Sequence, residues 1–300
     1  MNNELPNKQL VARSFGKAAA RYDDVAVLQR QTGDELLERL SLVKLQPKRV
    51  LDLGVGTGRN LSLLAKRYPK AQLLAVDIAP AMLQQAKQRY QQVRGLKRWL
   101  PDNNKPMYIA GDADQLPLAE NSVDLVFANL ALQWCDPRMS FAEIQRVLRP
   151  DGLLMFTTLG PDTLYELRSA WATVDDYPHV NIFYDMHDVG ESMMEAGLAE
   201  PVLDTDRYSL TYDSTMSLMK DLKVLGAHNV NQGRRRSLTG RQAFKQVADA
   251  YEQFRTGDLL PATYEVVYGH AWGGNIKTQQ VDNDGSVSIP VSQIKRRQPS

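Results

Sequence analysis

The chain reads as a doubly wound α/β fold, an open and mostly parallel sheet with helices on both faces, and three observations predict it. From about residue 48 to 158, short runs of Val, Leu, Ile and Phe alternate with segments of helical period, the pattern of successive βαβ units. The runs are nearly continuously apolar, as strands covered on both faces must be. The first run ends in a glycine-rich turn, "LDLGVGTG", at the point where such a sheet hands over to a helix at its ligand-binding edge.

Ahead of the sheet, "FGKAAARYDDVAVLQRQTGDELLERL" spaces Val27, Leu28, Leu36, Leu37 and Leu40 for two helices packed on the rim. "RVLDLG" and "NLSLLAKRY" are the first strand and helix, and "QLLAVD" and "PAMLQQAKQRY" the second pair. Pro80 suits the first turn of that second helix and Gly95 lies beyond its end. The polar stretch from Arg94 to Met107 reads as a solvated insertion loop before the third strand, "MYIAGD". "SVDLVFANL", "SFAEIQRVLR" and "GLLMFTTL" continue as strand, helix and strand. Next, "TLYELRSAWATVD" and "DVGESMMEAGL" look helical and "VLDTDRYSLTY" extended. "STMSLMKDLKVLGA" and "GRQAFKQVADAYEQF" look helical again. The last strand, "ATYEVVYGHAW", alternates more than the others and suits an antiparallel position at the sheet edge, as part of an antiparallel edge pair in a sheet of about seven strands. After Gly274 the tail is polar and aperiodic, and is expected to be disordered.

Composition narrows the functional classes. A 43% hydrophobic, 24% charged chain of 300 residues can bury a sizeable core. Its apolar runs fall short of the roughly 20 residues of a membrane span, and "MNNELPNKQL" has no apolar signal core, so a cytoplasmic protein is expected. The single cysteine, Cys135, excludes an internal disulfide and a cysteine metal cage. A net charge of +1 argues against a broad nucleic-acid surface. No internal repeat is present.

The glycines carry the first chemical signal. Gly54, Gly56 and Gly58 allow positive φ and close approach of a ligand, with the amides of the following helix pointing at it. A dinucleotide clamp of the form G-x-G-x-x-G would need glycine at position 59, which is Arg59. Asp77 ends the second strand about 20 residues on, where a carboxylate accepts from both ribose hydroxyls, so the ligand reads as a nucleoside. Asp112, in "GDADQLP", ends the third strand and is placed to accept from an adenine amine. Asn129, in "ANLALQW", ends the fourth, near the nucleoside's other end. Each acid alone reads more readily as a helix cap or a turn residue; four successive strand ends with such chemistry point to one site.

From about Lys48 to Gly160 the order of these motifs resembles the class I S-adenosylmethionine-dependent methyltransferases, with their Rossmann-like fold. The resemblance implies S-adenosyl-L-methionine as cofactor, with Asp52 anchoring the glycine loop or the cofactor's amino group. At both flanks the chain is similar to the malonyl-[acyl-carrier protein] O-methyltransferases of biotin synthesis, in "SFGKAAARYDDVAVLQRQTGDELLERL", "NLALQWCDP", "LRSAWATVDDYPHVNIF" and "LMKDLKVLGAHNVNQGRRRSLTGRQAF". That likeness implies methylation of the free carboxylate of a malonyl thioester on acyl carrier protein. The carboxylate is already ionised at neutral pH, so no general base and no catalytic triad are expected.

Residues 1–47 would then be a helical lid, 48–273 the methyltransferase domain with a substrate and partner region at about 160–260, and 274–300 the tail. Phe15 and Tyr22 would close over the cofactor, or simply pack their helices, and Trp134 would face the sulfonium or fill the core. Arg234, Arg235, Arg236 and Arg241, with Lys220 and Lys223, form a basic set suited to an acidic carrier protein. His228, Asn229 or one of these arginines would grip the malonyl carboxylate. Two further readings stand beside this one. A complex I assembly factor that turned the fold to arginine hydroxylation shares the N-terminal helices and fourth strand, and a small-molecule methyltransferase shares only the central motifs.

Overall fold

The computed structural model describes residues 6–95, 105–227, 229 and 240–274; His228, Arg234, Arg235 and Arg236 fall outside these, as do residues 96–104 of the expected insertion loop and the tail from 275. Three helical pieces precede the sheet: α1 (Lys8–Ala18), α2 (Tyr22–Val25) and α3 (Val27–Leu40). Two helices were expected here, and the single turn α2 is the difference. Asn7 caps α1 by accepting from the Leu10 amide, whereas Arg21 and Ala26 at the two ends of α2 leave helical geometry and bend the chain.

Then follow β1 (Arg49–Leu53), α4 (Arg59–Arg67), β2 (Gln72–Asp77), α5 (Pro80–Arg94), β3 (Met107–Ala110), β4 (Val123–Asn129), α6 (Pro137–Val147) and β5 (Leu148–Leu159). Pro80 opens α5 and Gly95 ends it at φ 52°, both as the sequence predicts. Next come α7 (Tyr165–Ala172), α8 (Met186–Glu195), β6 (Ala199–Tyr212), α9 (Thr215–Leu225), α10 (Arg241–Tyr251) and β7 (Leu260–Trp272). The sheet order is β3-β2-β1-β4-β5-β7-β6. All pairings are parallel except those of β7, which runs antiparallel to both β5 and β6. The antiparallel strand therefore sits one place in from the edge. Its alternate residues are buried, whereas β6 carries Asp204, Asp206 and Arg207 exposed, a charged strand that resists pairing with another chain.

Successive strand residues feed opposite cores, which is why the inner strands read as unbroken apolar runs. Val50, Leu73, Ala75, Leu125, Phe127 and Met155 pack with Leu36, Leu40, Leu61 and Leu64 on one face. Leu51, Leu53, Val76, Val126, Ala128 and Phe156 pack with Phe141, Ile144 and Met193 on the other. The strand order reverses between β1 and β4, and the crevice beyond their carboxyl ends is the expected ligand position. No described helix is long and apolar enough to cross a membrane.

Candidate active site

The turn between β1 and α4 holds three glycines in left-handed geometry for different reasons. At Gly54 (φ +70°) a Cβ would lie 2.3 Å from the Ala131 Cβ, and at Gly58 (φ +80°) one would lie 2.7 Å from the Ala86 Cα of α5. At Gly56 (φ +53°) a Cβ would meet nothing within 4 Å. Gly54 and Gly56 line a cavity, while Gly58 faces α5 and caps α4. Of the three predicted ligand glycines, Gly58 thus acts on the fold. The loop is tied to β2 through the Gly54 and Val55 amides, which donate to the Val76 carbonyl at 2.9 and 3.0 Å.

Asp77 organises the next strand end. Its Oδ2 accepts from the Gly56 amide at 2.9 Å and its Oδ1 from the Ala79 amide at 2.8 Å. Burial pushes its carboxyl up to about 6 against the pull of those two amides. Asp52 is pushed up to about 8 by burial and by the Asp77 charge, with the Leu61 amide of α4 opposing. It does not line the cavity. Its contact with the first turn of α4 fits an anchor of the loop, and its Oδ2 is buried with no partner.

The raised acids have a calculable sign. In the unliganded fold they support stability while protonated, and that support is lost as pH climbs through about 6 for Asp77 and about 8 for Asp52. A ligand that donates hydroxyls to Asp77 favours the ionised form instead. Cofactor affinity is therefore expected to rise between about pH 5 and pH 7, with proton release on binding near pH 6. Calorimetry in buffers of different ionisation enthalpy measures both; a flat affinity over that range would remove Asp77 from the ligand.

The cavity spans about 670 Å³ of space, part of it open to solvent. Asp77, Asp112 and Asn129 line it from the sheet, and Val11, Phe15 and Tyr22 from the N-terminal helices. Asp112 Oδ1 is held by the Lys8 ammonium at 2.7 Å and by the Asp114 amide at 3.1 Å. Asn129 is more heavily committed. Its Oδ1 accepts from the hydroxyls of Thr32 (2.9 Å) and Thr157 (2.8 Å), and its Nδ2 donates to the Gln29 carbonyl at 2.9 Å. Its side chain is a joint between α3, β4 and β5.

Three charged side chains fasten the N-terminal helices to the sheet and its helices, and none of their contacts is legible as such in the sequence. Lys8 pairs with Asp112 and Asp114, both at 2.7 Å. Asp23 accepts from the Thr57 hydroxyl at 2.7 Å and pairs with Arg89 of α5. Asp34 pairs with Arg59 at 2.8 Å. Lys8 also fills the one described carboxylate and thiol cluster, Asp112, Asp114 and Cys135, that has metal-ligand spacing. The buried thiol is pushed up to about 12 and stays neutral.

A second cavity, of about 680 Å³, shares Phe15, Tyr22, Leu130 and Trp134 with the first. Trp134 meets Phe15 edge-on at 5.3 Å, and Phe15 meets Tyr22 at 6.4 Å, so these aromatics form a common wall. The rest is mainly apolar, from α3, α7, α9 and residues 179–183, with Asn229 at its margin. Asn229 donates to the Pro178 carbonyl. Lys220, Lys223 and Arg241 are exposed on α9 and α10, which pack together. His179, which the sequence reading passed over, also lines this cavity.

The residues leave room for the cofactor that the sequence suggests: an open glycine face at Gly56 and, at the end of β2, the buried acid Asp77, both lining the cavity. Comparison with known proteins agrees. A family model described as a methyltransferase domain matches residues 51–156. The [4+2]-cyclase SpnF, whose solved structure aligns at a TM-score of 0.55 and 19% identity over 92% of this chain and 100% of that one, shows the same fold. The fold alone does not select the reaction. Sequence relatives are more decisive. The malonyl-[acyl-carrier protein] O-methyltransferase of Laribacter hongkongensis is 49% identical over 93% of this chain and 94% of its own length. That of Gallionella capsiferriformans is 46% identical over 97% and 99%. A likeness that runs through both flanks as well as the central motifs places this chain in the malonyl-[acyl-carrier protein] O-methyltransferase family.

Proposed function

We propose that the protein moves a methyl group from S-adenosylmethionine to the free carboxylate of a malonyl thioester carried by acyl carrier protein, a step of biotin synthesis. The observation that carries the reading is the pair of cavities meeting at the wall of Phe15, Tyr22, Leu130 and Trp134. One is lined by nucleoside-binding chemistry and the other is largely apolar and takes the acyl group. The cofactor supplies an electrophilic methyl on a sulfonium.

The chain's own residues do the rest. Asp77 accepts the ribose hydroxyls, Asp112 the adenine amine, and the open face at Gly56 admits the methionyl arm. Asp52 steadies the loop through its contact with the first turn of α4. Phe15 and Tyr22 keep water from the reacting atoms, and alignment across the wall supplies most of the catalysis. Residues 1–47 act as the lid, 48–273 as the methyltransferase domain and about 160–260 as its substrate and partner region. The exposed Lys220, Lys223 and Arg241 support docking of an acidic carrier, with Arg234, Arg235 and Arg236 continuing the same basic set in sequence.

Purified protein incubated with methyl-labelled S-adenosylmethionine and malonyl-carrier protein is expected to add one methyl to the malonyl group, read by mass spectrometry. Intact cofactor binding with no transfer would refute the reading.

A further inference from the structure

The acyl cavity poses an electrostatic problem. A carboxylate brought into an apolar pocket is costly unless it is paired with a cation or well supplied with donors. Among the described residues lining this cavity there is no Lys, Arg, Asp or Glu, and His179 is the one side chain able to carry positive charge.

His179 is built into its place. Its ring stacks on the buried Trp171 indole at a centroid distance of 3.7 Å and 7° between planes, and Trp171 is braced edge-on by Phe244 of α10. Its Nε2 lies 2.7 Å from Asp175 Oδ1, four residues earlier in the chain. Asn229 holds the carbonyl of the preceding Pro178. The ring plane and one nitrogen are thus fixed by the fold, while Nδ1 has no partner among the described residues. A histidine pinned this firmly by a carboxylate has the arrangement by which second partners orient a working imidazole.

We propose that His179 receives the carboxylate of the substrate: Nδ1–H donates to one carboxylate oxygen, Asp175 balances the ring through Nε2, and Trp171 stabilises the imidazolium from its face. The second carboxylate oxygen stays free to accept the methyl. This assignment rests on the malonyl thioester reading. It also gives the site a way to tell substrate from product, because the methyl ester has no charge to pair with the ring. Asp175 and Trp171 are positioning residues.

The test compares the intact protein with His179→Gln and Asp175→Asn, using malonyl-carrier protein and its methyl ester as probes. His179→Gln is expected to raise KM for malonyl-carrier protein roughly 10- to 100-fold with a smaller change in kcat. Affinity for S-adenosylhomocysteine, which also reports folding, should hold, as should binding of the methyl ester. Asp175→Asn should shift the same acid-to-ester ratio in the same direction, by less. An unchanged KM in His179→Gln, or equal losses for acid and ester, would overturn the assignment while leaving the reaction standing. Absence of transfer by the unmodified protein would instead sink the substrate reading and this inference with it.

Discussion

Asp77→Ala is expected to weaken binding of S-adenosylmethionine by about 1–3 kcal/mol, roughly 5- to 150-fold, because two buried ribose hydroxyls lose their acceptor. Stability should respond much less. The substitution orphans the Gly56 and Ala79 amides, yet it also removes a buried acid that burial pushes up to about 6 and that repels Asp52. The two effects oppose each other at neutral pH. Asp112→Ala supplies the contrast, since that side chain is less buried. Its effect on affinity should be several-fold smaller. Calorimetric titration with S-adenosylhomocysteine, alongside denaturant melts, separates the outcomes; equal affinity losses for the two variants would mean that Asp77 has no privileged contact.

The strands and their ligand edge were legible because both are local. An unbroken apolar run reports two covered faces, and a strand-ending acid or glycine needs only its own strand to be placed. The pairing of β7 between β5 and β6 was not, since alternation says that one face is more polar without saying which neighbours a strand takes. The lid contacts were illegible for a related reason. Lys8, Asp23 and Asp34 look like ordinary helix-surface charges until their partners 104, 34 or 25 residues away come alongside. His179 sits in a stretch whose only sequence signal was family likeness, and its role depends on Trp171 and Asp175 folding back against it. Asn129 is a mixed case: it lines the cavity, and its side chain is at the same time largely occupied in holding the fold.

The three glycines of the turn should fail in different ways when each becomes alanine. Any L-residue at these positive φ values costs about 1–2 kcal/mol. At Gly54 and Gly58 the new methyl also overlaps Ala131 or the α5 backbone at Ala86, and overpacking of that kind adds about 1–3 kcal/mol. Gly54→Ala and Gly58→Ala should therefore lose about 2–5 kcal/mol of stability, with cofactor affinity falling only as far as the displaced segments disturb the cavity. Gly56→Ala meets no protein atom within 4 Å, so its stability loss should stop at the backbone strain. Its methyl instead occupies the cavity face left open for the ligand, and its affinity loss should exceed its stability loss. Denaturation midpoints set against calorimetric affinities distinguish the two behaviours. A Gly56→Ala protein that binds cofactor normally would show that the methionyl arm does not pass over this residue, and would move the donor site away from the turn.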